Sequence, residues 1–306
     1  MIDLFQEFLT LFRGECAALA AALFWALATV IYGRFGRHVP SGELNLLKNV
    51  LASVMVLLTL ASQGTSWLRI DPFALGALLL SGALGLGMGD TAYFESLKCI
   101  GPRRALLLGI LAPPLAGLIA LIFLGERLRV PAWAGIGVTV LGVAWVVSER
   151  TANGRGTSER LLRGILFGLM AAGAQATGVV LSRAALTQTA ISPLTSALLR
   201  LVGGLLFLLL WILLKRRPLG QWRALEESKR IWAAVLLATF IGTYLSIWFQ
   251  QTALKHTSSG IAQTLFSTSP LFVLPIVFLM GEKISPRAIF GACVALAGVG
   301  LLLGFA

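Results

Sequence analysis

Apolar residues run along this chain in ten blocks of roughly twenty positions, at about 15–35, 43–62, 73–93, 104–124, 131–148, 163–183, 193–214, 231–251, 258–280 and 286–305. About 17–25 helical residues cross a hydrocarbon core ~30 Å thick, so each block is long enough for a spanning helix. The blocks are continuously apolar and do not alternate, which favours helices over a barrel, and a helix satisfies its own backbone hydrogen bonds in lipid. The pattern predicts an all-α integral membrane protein of ten transmembrane helices. Ahead of the first block, residues 1–13 carry Asp3 and Glu7 and lack the basic start of a signal peptide, so the first block reads as a retained span.

The blocks repeat. The text of residues 81–127 recurs in order at 238–283: Pro114 matches Pro270, Gly125 matches Gly281 and Glu126 matches Glu282 at an offset of 156, and Leu97-Lys98 match Leu254-Lys255 at 157. Earlier positions agree, with Trp25 opposite Gln175 at 150 and Leu47-Lys48 opposite Leu199-Arg200 at 152. A polar linker, 149–162, separates a first five-helix repeat (14–148) from a second (163–306). Five is odd, so the second copy enters the membrane in the opposite sense. Such inverted-topology repeats meet around a central cavity near the bilayer midplane and support alternating access.

Composition agrees. The chain is 57% hydrophobic and 12% charged with a mean hydropathy of +0.87, against about 25% charged residues in soluble domains. The net charge of +12 lies between apolar blocks and not on one solvated face, which points to a lipid bilayer and not to nucleic acid as the partner. Connections after the odd-numbered blocks hold 17 Lys and Arg and the remaining polar segments 6, which places both termini outside by the positive-inside rule. Three scattered cysteines form no CxxC pair, His38 and His256 lie in connections, and no HExxH, GxSxG or Walker A motif occurs. The sequence therefore predicts no metal, no cofactor and no catalytic centre.

Polar residues inside the blocks carry the chemistry, because lipid makes them costly. Lys48 and Arg200 lie at equal depth in the second and seventh blocks, with Asn45 and Asn49 on the face of Lys48. Either these cations bind an anionic group of a small-molecule substrate, or they snorkel or pair with an acid such as Asp90. Asp90 and Glu95, flanking Tyr93, are the proton-coupling candidates. Thr239, Thr243, Ser246 and Gln250 share one helical face. Trp25, Gln175, Tyr244, Trp248 and Gln263 complete the candidate substrate-binding set. Pro113, Pro114, Pro270 and Pro275 are expected to kink the fourth and ninth spans as gating points.

The ten-block duplication, the Lys48/Arg200 positions, the prolines of the fourth block of each half and the endings LGER (124–127) and MGEK (280–283) resemble the EamA-like family of the drug/metabolite transporter superfamily, over residues 14–305. The resemblance implies a secondary transporter that exports or exchanges a small polar metabolite, amino acids among them, across the cytoplasmic membrane. It also implies cytoplasmic termini, opposite to the loop charges. An intramembrane enzyme, a lipid-modifying protein and a passive small-solute channel are the alternative readings.

Overall fold

The computed structural model describes residues 12–35, 41–63, 70–147, 158–215, 229–279 and 285–305, and every regular element among them is a helix. The N-terminal segment before residue 12, most of the 149–162 linker, the connection 216–228 and the Gly281-Glu282 ending lie outside the described residues.

α1 (Arg13–Phe35) and α2 (Ser41–Ser62) form the first two apolar blocks. The third opens with α3 (Pro72–Gly82). Its start is fixed by Pro72 in the first turn and by Asp71, whose side chain accepts from Phe73 N at 2.9 Å and Ala74 N at 3.1 Å. The helix then widens into a π-helical segment, Ala83–Gly89, and continues as α4 (Asp90–Gly109). The eighth block repeats this design: α9 (Lys229–Thr239), a π-helical segment Phe240–Leu245, and α10 (Ser246–His256). The two π-helical starts, Ala83 and Phe240, are 157 residues apart, the offset read from the sequence.

The fourth and ninth blocks depart from expectation. Residues 94–103, read as a connection, lie within α4, because polarity marks where a helix leaves lipid and not where it ends. The helix breaks at Ile110-Leu111, before α5 (Ala112–Phe123), and at Ser267-Thr268, between α11 (Ser259–Phe266) and α12 (Ser269–Leu279). Pro113, Pro114 and Pro270 thus sit in first turns, where a missing N–H costs nothing. Pro275 lies inside its helix. The remaining elements are α6 (Val130–Val147), α7 (Ser158–Gln188), α8 (Pro193–Lys215) and α13 (Pro286–Phe305).

Six stretches among the described residues are long and apolar enough to cross a membrane: Arg13–Tyr32, Gly42–Ser62, Pro72–Ser96, Glu159–Gln188, Pro193–Leu214 and Lys229–His256. Ala112–Phe123, Val130–Trp145 and Pro286–Leu301 are shorter apolar helices. Leu58, Ile122, Phe123, Leu213 and Phe278 stand exposed on the outside, the surface that acyl chains cover.

The two halves interlock by exchange. α4 packs on α7 and its counterpart α10 packs on α1; α2 meets α8; α6 meets α13 along its length. Small residues allow this, with Ala18, Ala21, Ala22 and Ala26 buried along α1 and Ala172 and Ala176 along α7. At the α6–α13 contact a Cβ on Gly142 would run into the backbone of Ala295, and one on Gly298 into the backbone of Thr139. Both pairs of partners, 142 with 298 and 139 with 295, are 156 apart, so the contact is reciprocal.

The LGER ending gains a structural reason. Gly125 takes φ 66° after α5, a left-handed turn that suits glycine at a helix C-terminus. The turn brings Glu126 back across the bundle end. Its carboxylate accepts from Arg183 Nε at 2.8 Å and from Ser259 N at 2.9 Å, while Arg183 Nη1 donates to the Leu254 carbonyl at 2.6 Å. One ion pair thereby ties the end of α5 to α7, α10 and α11.

Alanine substitutions separate close packing from helix propensity. Gly137 and Gly300, on the same two helices, have open space at the Cβ position. Gly137→Ala and Gly300→Ala are expected to be neutral or to stabilise by about 0.5–1 kcal/mol, whereas Gly142→Ala and Gly298→Ala should destabilise by about 1–3 kcal/mol. Thermal unfolding of the purified variants in detergent measures the difference.

Candidate functional site

Between the halves lies a cavity of about 150 Å³. α1, α2, α4, α7, α10, α11 and the start of α12 all contribute to its wall, so neither repeat builds it alone. Most of the wall is apolar, and the charged side chains on it are Lys48 and Asp90.

Lys48 faces inward because α2 carries a polar stripe. Asn49 Nδ2 donates to the Asn45 carbonyl at 2.9 Å and to Asn45 Oδ1 at 3.1 Å, and Ser53 Oγ donates to the Asn49 carbonyl at 2.7 Å. Asn45 Nδ2 reaches across to the Leu86 carbonyl at 3.0 Å. That contact satisfies a backbone acceptor in the π-helical segment, where helical pairing is irregular. The segment delivers Asp90, the first residue of α4, beside the ammonium. Lys48 Nζ donates to Asp90 Oδ2 at 2.6 Å, with the two side chains 3% and 13% exposed. The Lys48 ammonium also stands 5.6 Å from the ring centre of Trp25, within cation–π range.

The rest of the wall is amide, hydroxyl and aromatic. Gln175, Gln250 and Gln263 line it with Thr243, Ser246 and Ser267. Trp25 and Phe266 face each other with ring centres 6.4 Å apart. Tyr93 completes the side near Asp90. The chemistry of this wall suits hydrogen-bonding and apolar contacts. Among the described residues no group of three or more His, Cys, Asp or Glu stands close enough to hold a metal ion.

The sequence-derived candidates divide. Trp25, Lys48, Asp90, Tyr93, Gln175 and Gln263 share the wall, as does Pro270. Asn45, Arg200, Tyr244, Trp248, Glu95, Pro113, Pro114 and Pro275 are not on it. Asn45 clamps the π-helical segment. Arg200 is fully buried behind Gln250, its Nη1 donating to Gln250 Oε1 at 3.0 Å. Tyr244 shares a hydrogen bond of 2.8 Å with Thr59 and packs into the α2–α8 core, against which Trp248 rests. In the α9–α10 stripe, Thr243, Ser246 and Gln250 face the cavity, while Thr239 bonds Tyr32 at 3.1 Å. Phe266 escaped sequence reasoning: inside an apolar block a phenylalanine that lines a cavity looks like one that packs.

Comparison with known proteins agrees with this architecture. A search of curated proteins gives no match. A solved crystal structure superposes with a TM-score of 0.79 over 94% of this chain and 96% of that one, at 21% sequence identity, a likeness that establishes the fold. The model of the EamA-like transporter family matches twice, over residues 12–148 and 162–304. With both halves matched, the chain belongs to the EamA-like transporter family of the drug/metabolite transporter superfamily, whose members are membrane transporters and not enzymes.

Proposed function

We propose that this protein is a secondary transporter that exports or exchanges a small polar metabolite across the cytoplasmic membrane by alternating access. In this reading ten helices cross the bilayer as two inverted repeats, 14–148 and 163–306, joined by the linker 149–162, and the cavity is the substrate site. The observation that carries it is the origin of the cavity wall: matched elements of both halves supply it, and the paired π-helical segments and helix breaks border it. A solute bound there touches both repeats, so an exchange of conformation between them exposes it first to one face and then to the other.

Asp90 is the proton-coupling residue in this reading. Its protonation neutralises the carboxylate and releases Lys48, changing the charge of the wall by one. Glu95 lies off the wall and is the second candidate.

Counterflow in proteoliposomes tests the proposal. Liposomes preloaded with an unlabelled metabolite identified by a thermal-shift screen are expected to accumulate the labelled compound transiently and with saturation; linear, non-saturating flux is the outcome of a passive channel. Asp90→Asn is expected to keep exchange while losing its response to an imposed pH gradient. Lys48→Met alone leaves the part-buried Asp90 carboxylate on the cavity wall without its cation and should cost about 1–3 kcal/mol of stability. Lys48→Met with Asp90→Asn should recover most of that loss, read by thermal unfolding.

A further inference from the structure

Arg200 lies behind the cavity wall, 0% exposed, and its one side-chain hydrogen bond among the described residues goes to a residue on that wall. Nη1 donates to Gln250 Oε1 at 3.0 Å, while Nε and Nη2 have no partner. Arginine stays protonated in proteins, and a cation without an ion pair in an apolar interior is costly. Stability does not call for it, since an apolar side chain of similar volume often serves as well. The backbone here is nevertheless locked in place: a Cβ on Gly82 would run into the Arg200 carbonyl.

What the contact does follows from the chemistry of its two partners. A guanidinium only donates, whereas an amide has one accepting and one donating end. Gln250 must therefore turn Oε1 back toward Arg200, which leaves Nε2 for the other side. Gln250 lines the cavity and is 7% exposed. Its Nε2 has no protein partner among the described residues and is not sealed from the open space. Accepting from a cation also polarises the amide and strengthens its N–H groups as donors. Elsewhere on the same helical face the hydroxyls are used or buried: Ser246 Oγ donates to the Ala21 carbonyl at 3.0 Å, and Thr243 Oγ1 is enclosed. On α7, Gln175 Oε1 has no partner, so no bond at that oxygen holds the amide in one sense.

We propose that Arg200 is a positioning residue: it holds Gln250 so that an amide N–H faces the cavity, and the ligand of the cavity places an acceptor oxygen, of a carboxylate or a carbonyl, against Gln250 Nε2. Calling that ligand a transported solute rests on the transport reading above; the fixed sense of the amide does not. A ligand that offers an ammonium at this point meets donor against donor, with the Arg200 charge behind it. Lys48 is already taken by Asp90, so the Arg200–Gln250 pair supplies the selectivity.

Thermal unfolding of the purified full chain tests this with two matched sets of probes: benzoate, acetophenone and benzylammonium, and isobutyrate, isopropyl methyl ketone and isobutylammonium. Within at least one set the carboxylate or the ketone is expected to protect, with an apparent affinity about tenfold or more above that of the ammonium. The better of the two identifies the oxygen that the site takes. Gln250→Glu keeps an oxygen for Arg200 and gives it a counter-ion, but removes the N–H. It is expected to unfold at or above the wild-type temperature while weakening that protection about tenfold or more. If the carboxylate is the ligand, the uncharged Gln250→Met gives the same loss and excludes simple repulsion. Arg200→Gln lets the amide turn over, so the preference for acceptor over ammonium should fall about tenfold or more, whereas Arg200→Lys, still only a donor, retains it. Equal or better protection by the ammonium, no protection by any acceptor, or unchanged protection in folded Gln250→Glu overturns the proposal. Full preference in folded Arg200→Gln overturns the positioning role. Where neither Arg200 variant folds, Gln250→Glu decides, and a lowered unfolding temperature there counts against the Arg200–Gln250 contact. Saturable exchange confined to solutes without an acceptor oxygen overturns the proposal and leaves transport standing; acceptor protection without saturable exchange of that compound does the reverse.

Discussion

An ammonium and a carboxylate held 2.6 Å apart inside an apolar helix bundle set the terms for the site. Removing either ion from water costs several kcal/mol, and apolar residues of similar volume often serve stability as well. Stability alone does not call for this pair. The protein builds for it nonetheless: a polar stripe on α2 orients Lys48, Asn45 braces the π-helical segment, and that segment sets Asp90 at the start of α4. The Trp25 ring covers the ammonium from α1. Four elements are thereby fixed relative to one another around the cavity.

Duplication supplies the frame in which this happens. π-helical segments and helix breaks recur 157 residues apart, and the α6–α13 contact is reciprocal at 156. The copies differ where the chemistry is. Backbone touches backbone between the third block and α8, where Gly82 meets Arg200 and Gly203 meets Leu79, whereas the matching positions in the other copy hold Thr239 and Leu51. Asp90 has Ile247 as its counterpart at the 157 offset, and Lys48 has Arg200. A symmetric frame therefore carries an asymmetric set of charges.

Much of this was legible in the sequence because hydropathy and periodicity report depth and face. The apolar blocks, the repeat and the common helical face of Thr243, Ser246 and Gln250 follow from those two quantities. Which neighbour a face meets does not. Pairing of Lys48 with Asp90 was one of several outcomes open to the sequence, and Arg200, equal in depth to Lys48, turns out to lie behind the wall. The prolines of the fourth and ninth blocks suggested kinks, yet the chain breaks ahead of three of them, because a proline is also a helix-starting residue. Gly125-Glu126 was visible as a repeated motif, and its cause, a left-handed turn aiming a carboxylate at Arg183, needed three dimensions.

The central claim is that one cavity, built by both repeats, opens to each face of the membrane in turn. Single cysteines on its wall measure this directly. With Cys16, Cys99 and Cys293 replaced, Ser246→Cys or Ser267→Cys is exposed to a membrane-impermeant thiol reagent from either side of sealed, oriented vesicles. Alternating access predicts that the same cysteine is modified from both sides, in separate experiments, while the vesicles stay sealed to the reagent. Modification from one side only, or passage of the reagent through the protein, would contradict the account.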